Sequence, residues 1–342
     1  MIPRQQLTPE VERCLRLLGD LPTVRPGASG LDVLRQRYRV RMTGATLPKR
    51  ELAQVRDDSV AGRAGPIAIR QYVPVDVPDG RYPAILFFHG GGWVSGDLDS
   101  HDDICRHMAH VSGVQVIAVN YRLAPENPFP ASVEDAIDTY SMLLAHSARW
   151  NIDTGKIALM GDGTGGTLAS VVAIHARDMC QPIPVCQLLF YPATDLSPKR
   201  SPASTDDRAF ADERVPAEEI DVPCSRNVIR WLHGLYLGNW ADPRDWRVSP
   251  LHTRSFAGLS PCFIAVGDRD PLYREALDFG NKLYKAGVTV RLRDLPGQIN
   301  GFLMLGGLLG EAAMSMKAAA GFLQECLAEK ARAPSRGLYL TV

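Results

Sequence analysis

Seven short apolar runs, PIAIRQYV, PAILFFH, VQVIAVNY, KIALMG, VCQLLFYP, PCFIAVG and VTVRLRDL, recur between residues 66 and 295. Several are apolar at successive positions rather than alternate ones, the pattern of strands buried on both faces. A weaker candidate, ELAQVRDDSV, precedes them. Between many of the runs lie amphipathic segments of helical length: ASVEDAIDTYSMLLAHSA, TGGTLASVVAIHARDM, LYREALDFGNKLYKAG and GEAAMSMKAAAGFLQECLAEKA. Buried strands that alternate with helices predict a mostly parallel, doubly wound sheet with helices on both faces.

Two regions break the alternation. Residues 1–50 contain no obvious strand but offer a helix start, with Thr8 as N-cap and Pro9 at the first helical position. Residues 196–245 begin polar and rich in Pro and Ser, and end with aromatics that include Trp231, Tyr236 and Trp240; Trp246 follows at once. Together the two regions read as a lid over one end of the sheet. The aromatics fit lid-to-core packing, and more weakly an apolar or aromatic ligand.

Composition narrows the function classes. The 38 basic and 38 acidic residues cancel, so no polyanion partner such as nucleic acid is expected. The N-terminal stretch is too charged for a signal peptide, and no run of about 18 apolar residues suggests a membrane span. A cytoplasmic protein is the expectation. The seven cysteines are scattered without a C-x-x-C pair, so free thiols are expected rather than disulfides or a zinc site. Neither metal nor cofactor is expected.

The motifs carry more. His89-Gly90-Gly91-Gly92-Trp93 follows PAILFF directly, and Tyr121 to Glu126 (YRLAPE) follows VQVIAVN. MGDGTGG, residues 160–166, joins KIALMG to a helical segment. Asp270-Pro271-Leu272 closes PCFIAVGDRDPL, and Asn300-Gly301-Phe302 follows RLRDLPGQI. In this order the five motifs resemble the hormone-sensitive-lipase-like esterases of the α/β-hydrolase fold, over roughly residues 52–330. The resemblance implies an eight-stranded, mostly parallel sheet flanked by helices, with a helical lid. It divides the chain into an N-terminal lid segment (1–50), the first part of the core (51–195), a second lid segment (196–245), the second part of the core (246–330) and a tail (331–342). It also implies pairing into a homodimer through the sheet edge and last helix. The amides of Gly91, Gly92 and Thr164 would form the oxyanion hole, and Tyr121 to Glu126 would brace the fold beside it.

Two positions depart from the family. Its serine position is Gly163 and its histidine position is Asn300, while its acid survives as Asp270. The eight histidines are His89, His101, His107, His110, His146, His175, His233 and His252, so none follows Asp270, where the triad order requires one. The spacing of His101, His107 and His110 fits a partly exposed helix better than a pocket. Asparagine has no titratable base near neutral pH, so serine-type ester hydrolysis is not expected.

Three functions stay open. An oxyanion hole without a nucleophile suits non-hydrolytic chemistry on a small, apolar, carbonyl-bearing metabolite, such as cyclisation, elimination or decarboxylation. Asp270 is then a proton acceptor, or alternatively a structural carboxylate bonded to Asn300. A non-catalytic receptor or pseudoenzyme is the alternative, for which the gibberellin receptors of the same family are a precedent. Weak carboxylic-ester hydrolysis by the oxyanion hole alone is the third.

Overall fold

In a computed structural model the protein is described over residues 7–18, 31–36, 38, 45–77, 80–197 and 226–332. Residues 198–225 of the second lid segment, the tail from 333, and much of the first lid segment lie outside these ranges.

All eight expected strands form: β1 (Gln54–Gly62), β2 (Gly65–Val73), β3 (Tyr82–Phe88), β4 (Gln115–Asn120), β5 (Ile152–Asp162), β6 (Gln187–Phe190), β7 (Cys262–Gly267) and β8 (Val290–Leu295). They build one sheet in the order β1-β2-β4-β3-β5-β6-β7-β8. Only β2 runs against its neighbours; the other pairings from β4 to β8 are parallel. β6 and β7 are buried at every position, as consecutive apolar runs require.

The four amphipathic segments form helices where periodicity put them, and further helices join them. They are α1 (Pro9–Leu18), α2 (Asp102–Ser112), α3 (Ala131–Ala145), α4 (Thr164–Asp178), α5 (Arg226–Leu237), α6 (Tyr273–Lys285) and α7 (Glu311–Arg332). The amide of Val11 donates to Thr8 Oγ1 at 3.2 Å, so Thr8 caps α1 as expected. The region of His101, His107 and His110 is the partly exposed helix expected: His110 is exposed, while His101 (1% exposed) and His107 (4%) are buried. The six described cysteines are free thiols. Among the described residues no helix is long and apolar enough to cross a membrane, and no group of three acidic, His or Cys side chains clusters as a metal site would.

The strand order also fixes where a site belongs. From β3 the chain crosses through α2 to β4 on one side; from β5 it crosses through α4 to β6 on the other. Right-handed crossovers in opposite directions put α2 and α4 on opposite faces. The carboxyl ends of the paired strands β3 and β5 therefore open a crevice between diverging loops, where ligands of open α/β sheets bind. His89-Gly90-Gly91-Gly92 leaves the end of β3, and Asp162-Gly163-Thr164 leaves the end of β5.

Candidate functional site

The first wall of the crevice is the glycine loop after β3. Its anchor is Asp162, buried at the end of β5, whose Oδ1 accepts the amide of Gly90 at 2.8 Å and whose Oδ2 accepts the hydroxyl of Tyr191 at 3.2 Å. The Nε2 of His101 lies 3.4 Å from the same Oδ1. Tyr121 donates to the carbonyl of His89 at 2.6 Å and stacks on its ring at 4.2 Å, which is the bracing expected of that motif. Burial pushes His89 down to about 4, so its imidazole stays neutral at physiological pH. Gly91 turns at φ +120°, and its carbonyl accepts the amides of Val94 and Ser95. A Cβ there would lie 2.1 Å from the Ser95 carbonyl oxygen, so only glycine fits.

The second wall is the turn from β5 into α4. Gly163 sits at φ +51°, ψ −118°, as the N-cap of α4, with its amide bonded to the carbonyl of Phe190 at 2.9 Å. Its glycine neighbours are there for packing: a Cβ on Gly165 would meet the Phe88 carbonyl oxygen at 1.9 Å. Gly163 differs. A Cβ there meets nothing closer than the Tyr191 ring, at 3.9 Å. The turn thus has room for a side chain at the position that lacks one. Among the described residues, the amides of Gly91, Gly92 and Thr164 donate to no protein acceptor. Gly91 and Gly92 lie on one loop and Thr164 at the N-terminus of α4 on the other, and unpaired amides at a helix N-terminus favour negative charge.

The third wall joins the loops after β7 and β8. Arg269 donates its amide to the carbonyl of Gln298, and Asp268 Oδ1 accepts the amide of Gly297, so the two loops are tied together. Asp270 and Asn300 meet as a result. Asn300 Nδ2 donates to Asp270 Oδ2 at 2.9 Å, and the amide of Leu272 donates to Asp270 Oδ1 at 2.7 Å. Asp270 is 2% exposed, and burial pushes its carboxyl up to about 7 against the pull of those two donors. Tyr191 links this wall to the elbow, because its ring packs edge-on against Phe302 at 5.1 Å.

The residues singled out from the sequence, Gly91, Gly92, Gly163, Thr164, Asp270 and Asn300, all lie in the segments that follow the carboxyl ends of the parallel strands. Sequence reasoning did not single out Asp162 or Tyr191, and it assigned His101 to a helix rather than to the contact with Asp162 that the fold gives it. The first lay inside a quoted motif with no signal that its carboxylate faces back to Gly90. Nor do the lid aromatics act alike: Tyr236 of α5 stacks on Trp93 at 4.2 Å, whereas Trp240 is 62% exposed.

Comparison with known proteins agrees with this fold. A family model described as alpha/beta hydrolase fold matches residues 85–304. The esterase LipI of Mycobacterium tuberculosis is 36% identical over 87% of this chain and 89% of its own length. From the same organism, the carboxylic ester hydrolase LipN is 37% identical over 84% and 76% of the two chains. The solved ester-hydrolase EH1AB1 from the metagenome of Lake Arreo superposes with a TM-score of 0.84 at 32% identity, covering 94% of this chain and 100% of that one. The esterase of Pyrobaculum calidifontis gives 0.81 at 30%, over 94% and 99%.

Proposed function

Because the chain belongs to the hormone-sensitive-lipase-like family of the α/β-hydrolase fold, we propose that it is an esterase-like protein that engages a small carbonyl-bearing ligand without hydrolysing it. The free amides of Gly91, Gly92 and Thr164 are taken as the oxyanion hole, and Gly163 and Asn300 as the family's serine and histidine positions. One observation carries the reading: the turn keeps a positive-φ backbone, open donors and space for a side chain, while the attacking atom is absent. An acyl-enzyme needs a nucleophile that loses its proton to a base. Glycine supplies no nucleophile, and the Asn300 amide takes no proton at neutral pH. Loss of either partner costs a triad enzyme on the order of 10⁶ in kcat.

The test is direct. The purified protein should give no burst with p-nitrophenyl acetate or butyrate and no labelling by a fluorophosphonate. Stoichiometric labelling at any residue would overturn the reading.

Proton-transfer catalysis is a second reading, favoured by one observation: a carboxyl raised to about 7 exchanges its proton near neutral pH, as a general base must. In that case Asp270→Asn abolishes turnover of the metabolite and leaves its affinity within about twofold. Both Asp270 oxygens already accept hydrogen bonds, which favours binding as the primary role.

A further inference from the structure

Asn300 is more than a missing histidine. Its two ends do different work. A carboxylate only accepts, so the contact with Asp270 fixes Nδ2 on the Asp270 side and turns Oδ1 the opposite way. Asn300 keeps 8% of its surface accessible, and its Oδ1 takes no hydrogen bond from the described residues. A histidine held by the same carboxylate presents a second nitrogen that can accept or donate. Asparagine held in this way presents an acceptor and nothing else.

We propose that Asn300 makes the site selective for carbonyl compounds that carry an N–H on the carbonyl carbon, carboxamides first, over the corresponding esters. The proposal rests on the reading of Gly91, Gly92 and Thr164 as the donors that hold the carbonyl oxygen. With that oxygen held, and with Asn300 read as standing at the family's histidine position, the group across the carbonyl carbon is the one that faces Asn300 Oδ1. An amide N–H satisfies Oδ1. An ester's bridging oxygen has only lone pairs, so the contact becomes acceptor against acceptor and strips Oδ1 of water without replacing it. A buried acceptor left unpaired weakens binding by roughly tenfold or more. The unfilled volume beside Gly163, with the Tyr191 ring 3.9 Å from where a Cβ would sit, leaves the carbonyl carbon room that a serine would occupy.

The experiment uses the full chain at pH 8.5, where Asp270 is ionised and keeps Nδ2 turned toward itself. Benzamide, N-methylbenzamide, N,N-dimethylbenzamide and methyl benzoate are titrated by ligand-observed NMR. The two amides with an N–H should bind at least about tenfold more tightly than the ester. N,N-dimethylbenzamide is the decisive control, because it keeps the strongly accepting amide carbonyl and lacks the N–H. It should fall to the ester's level. In Asn300→Leu the spread across the four should shrink to within about twofold. If the ester or the dimethyl amide binds as well as N-methylbenzamide, the selectivity is absent and the oxyanion-hole reading alone stands. If the spread survives in Asn300→Leu, Asn300 is not its source. If none of the four binds at millimolar concentration, both the selectivity and the reading beneath it fail. The wild-type comparison decides the matter even where the leucine variant does not fold.

Discussion

At the scale of single residues, the instructive one is Asp270. Its identity and its pairing with Asn300 were both within reach of the sequence, since the two close successive strand–loop motifs. Its burial was not, because desolvation depends on everything packed around the carboxyl. That burial has a consequence for stability. The folded carboxyl titrates near 7, against an ordinary value of 3.8, so between these values the folded chain holds a proton that the unfolded chain has released. The raised value therefore favours folding at low pH, and that contribution is lost as pH rises through 4 to 7, an effect on the order of 4 kcal/mol. Asp270→Asn removes the slope. Urea unfolding at pH 5 and pH 8 should find the variant gaining on the wild type by a few kcal/mol at the higher pH. A difference that does not change with pH would mean that the native carboxyl ionises normally.

At the scale of elements, the two glycine-rich turns look alike in sequence and are not alike in structure. Which strand follows which, and the lengths of α3, α4, α6 and α7, could be read from apolar periodicity. The placement of β4 between β2 and β3 could not, because strand pairing rests on backbone hydrogen bonds that every strand offers equally. The same blindness applies to the glycines. Gly91 is required by contact, since a Cβ would strike the Ser95 carbonyl oxygen at 2.1 Å; Gly163 is held only by its dihedral angle. Gly163→Ala should therefore fold and lose about 1–3 kcal/mol, the usual cost of a strained backbone at a non-glycine residue. Gly91→Ala should lose more than that, because the clash is with a main-chain atom that its own turn holds in place. Thermal unfolding of the two variants gives the order. If Gly163→Ala were the more damaging, the space beside Tyr191 would not be real.

At the scale of the whole molecule, the segment before the sheet is tied to the site from a distance no local pattern reveals. Arg35 lies 91 residues before Glu126, and its guanidinium grips that carboxylate with two bonds of 2.8 Å while donating to the carbonyls of Val94 and Ala124. Val94 closes the turn of the glycine loop, so a residue of the N-terminal segment supports the wall that carries Gly91 and Gly92. Composition showed Arg35 only as one of many arginines, since its role depends on what the fold brings to it. Loss of the clamp in Arg35→Ala should leave the sheet intact and free the segment. Limited chymotrypsin digestion at pH 7 should then cut within residues 1–50 severalfold faster than in the wild type, with the remaining core just as resistant. The contact is partly exposed, 29% at Arg35 and 55% at Glu126, so solvent screening keeps the ion pair's own share to under about 1 kcal/mol. The hydrogen bond to Arg35 holds the Glu126 carboxyl down at about 2, so this share is present above the ordinary value of 4.5 and is lost as pH falls toward 2. Wild type and variant should therefore differ most near neutrality and converge in acid, read as pepsin cleavage of the same segment near pH 2. Equal cleavage of the two proteins at pH 7 would mean that the segment is held by contacts other than Arg35.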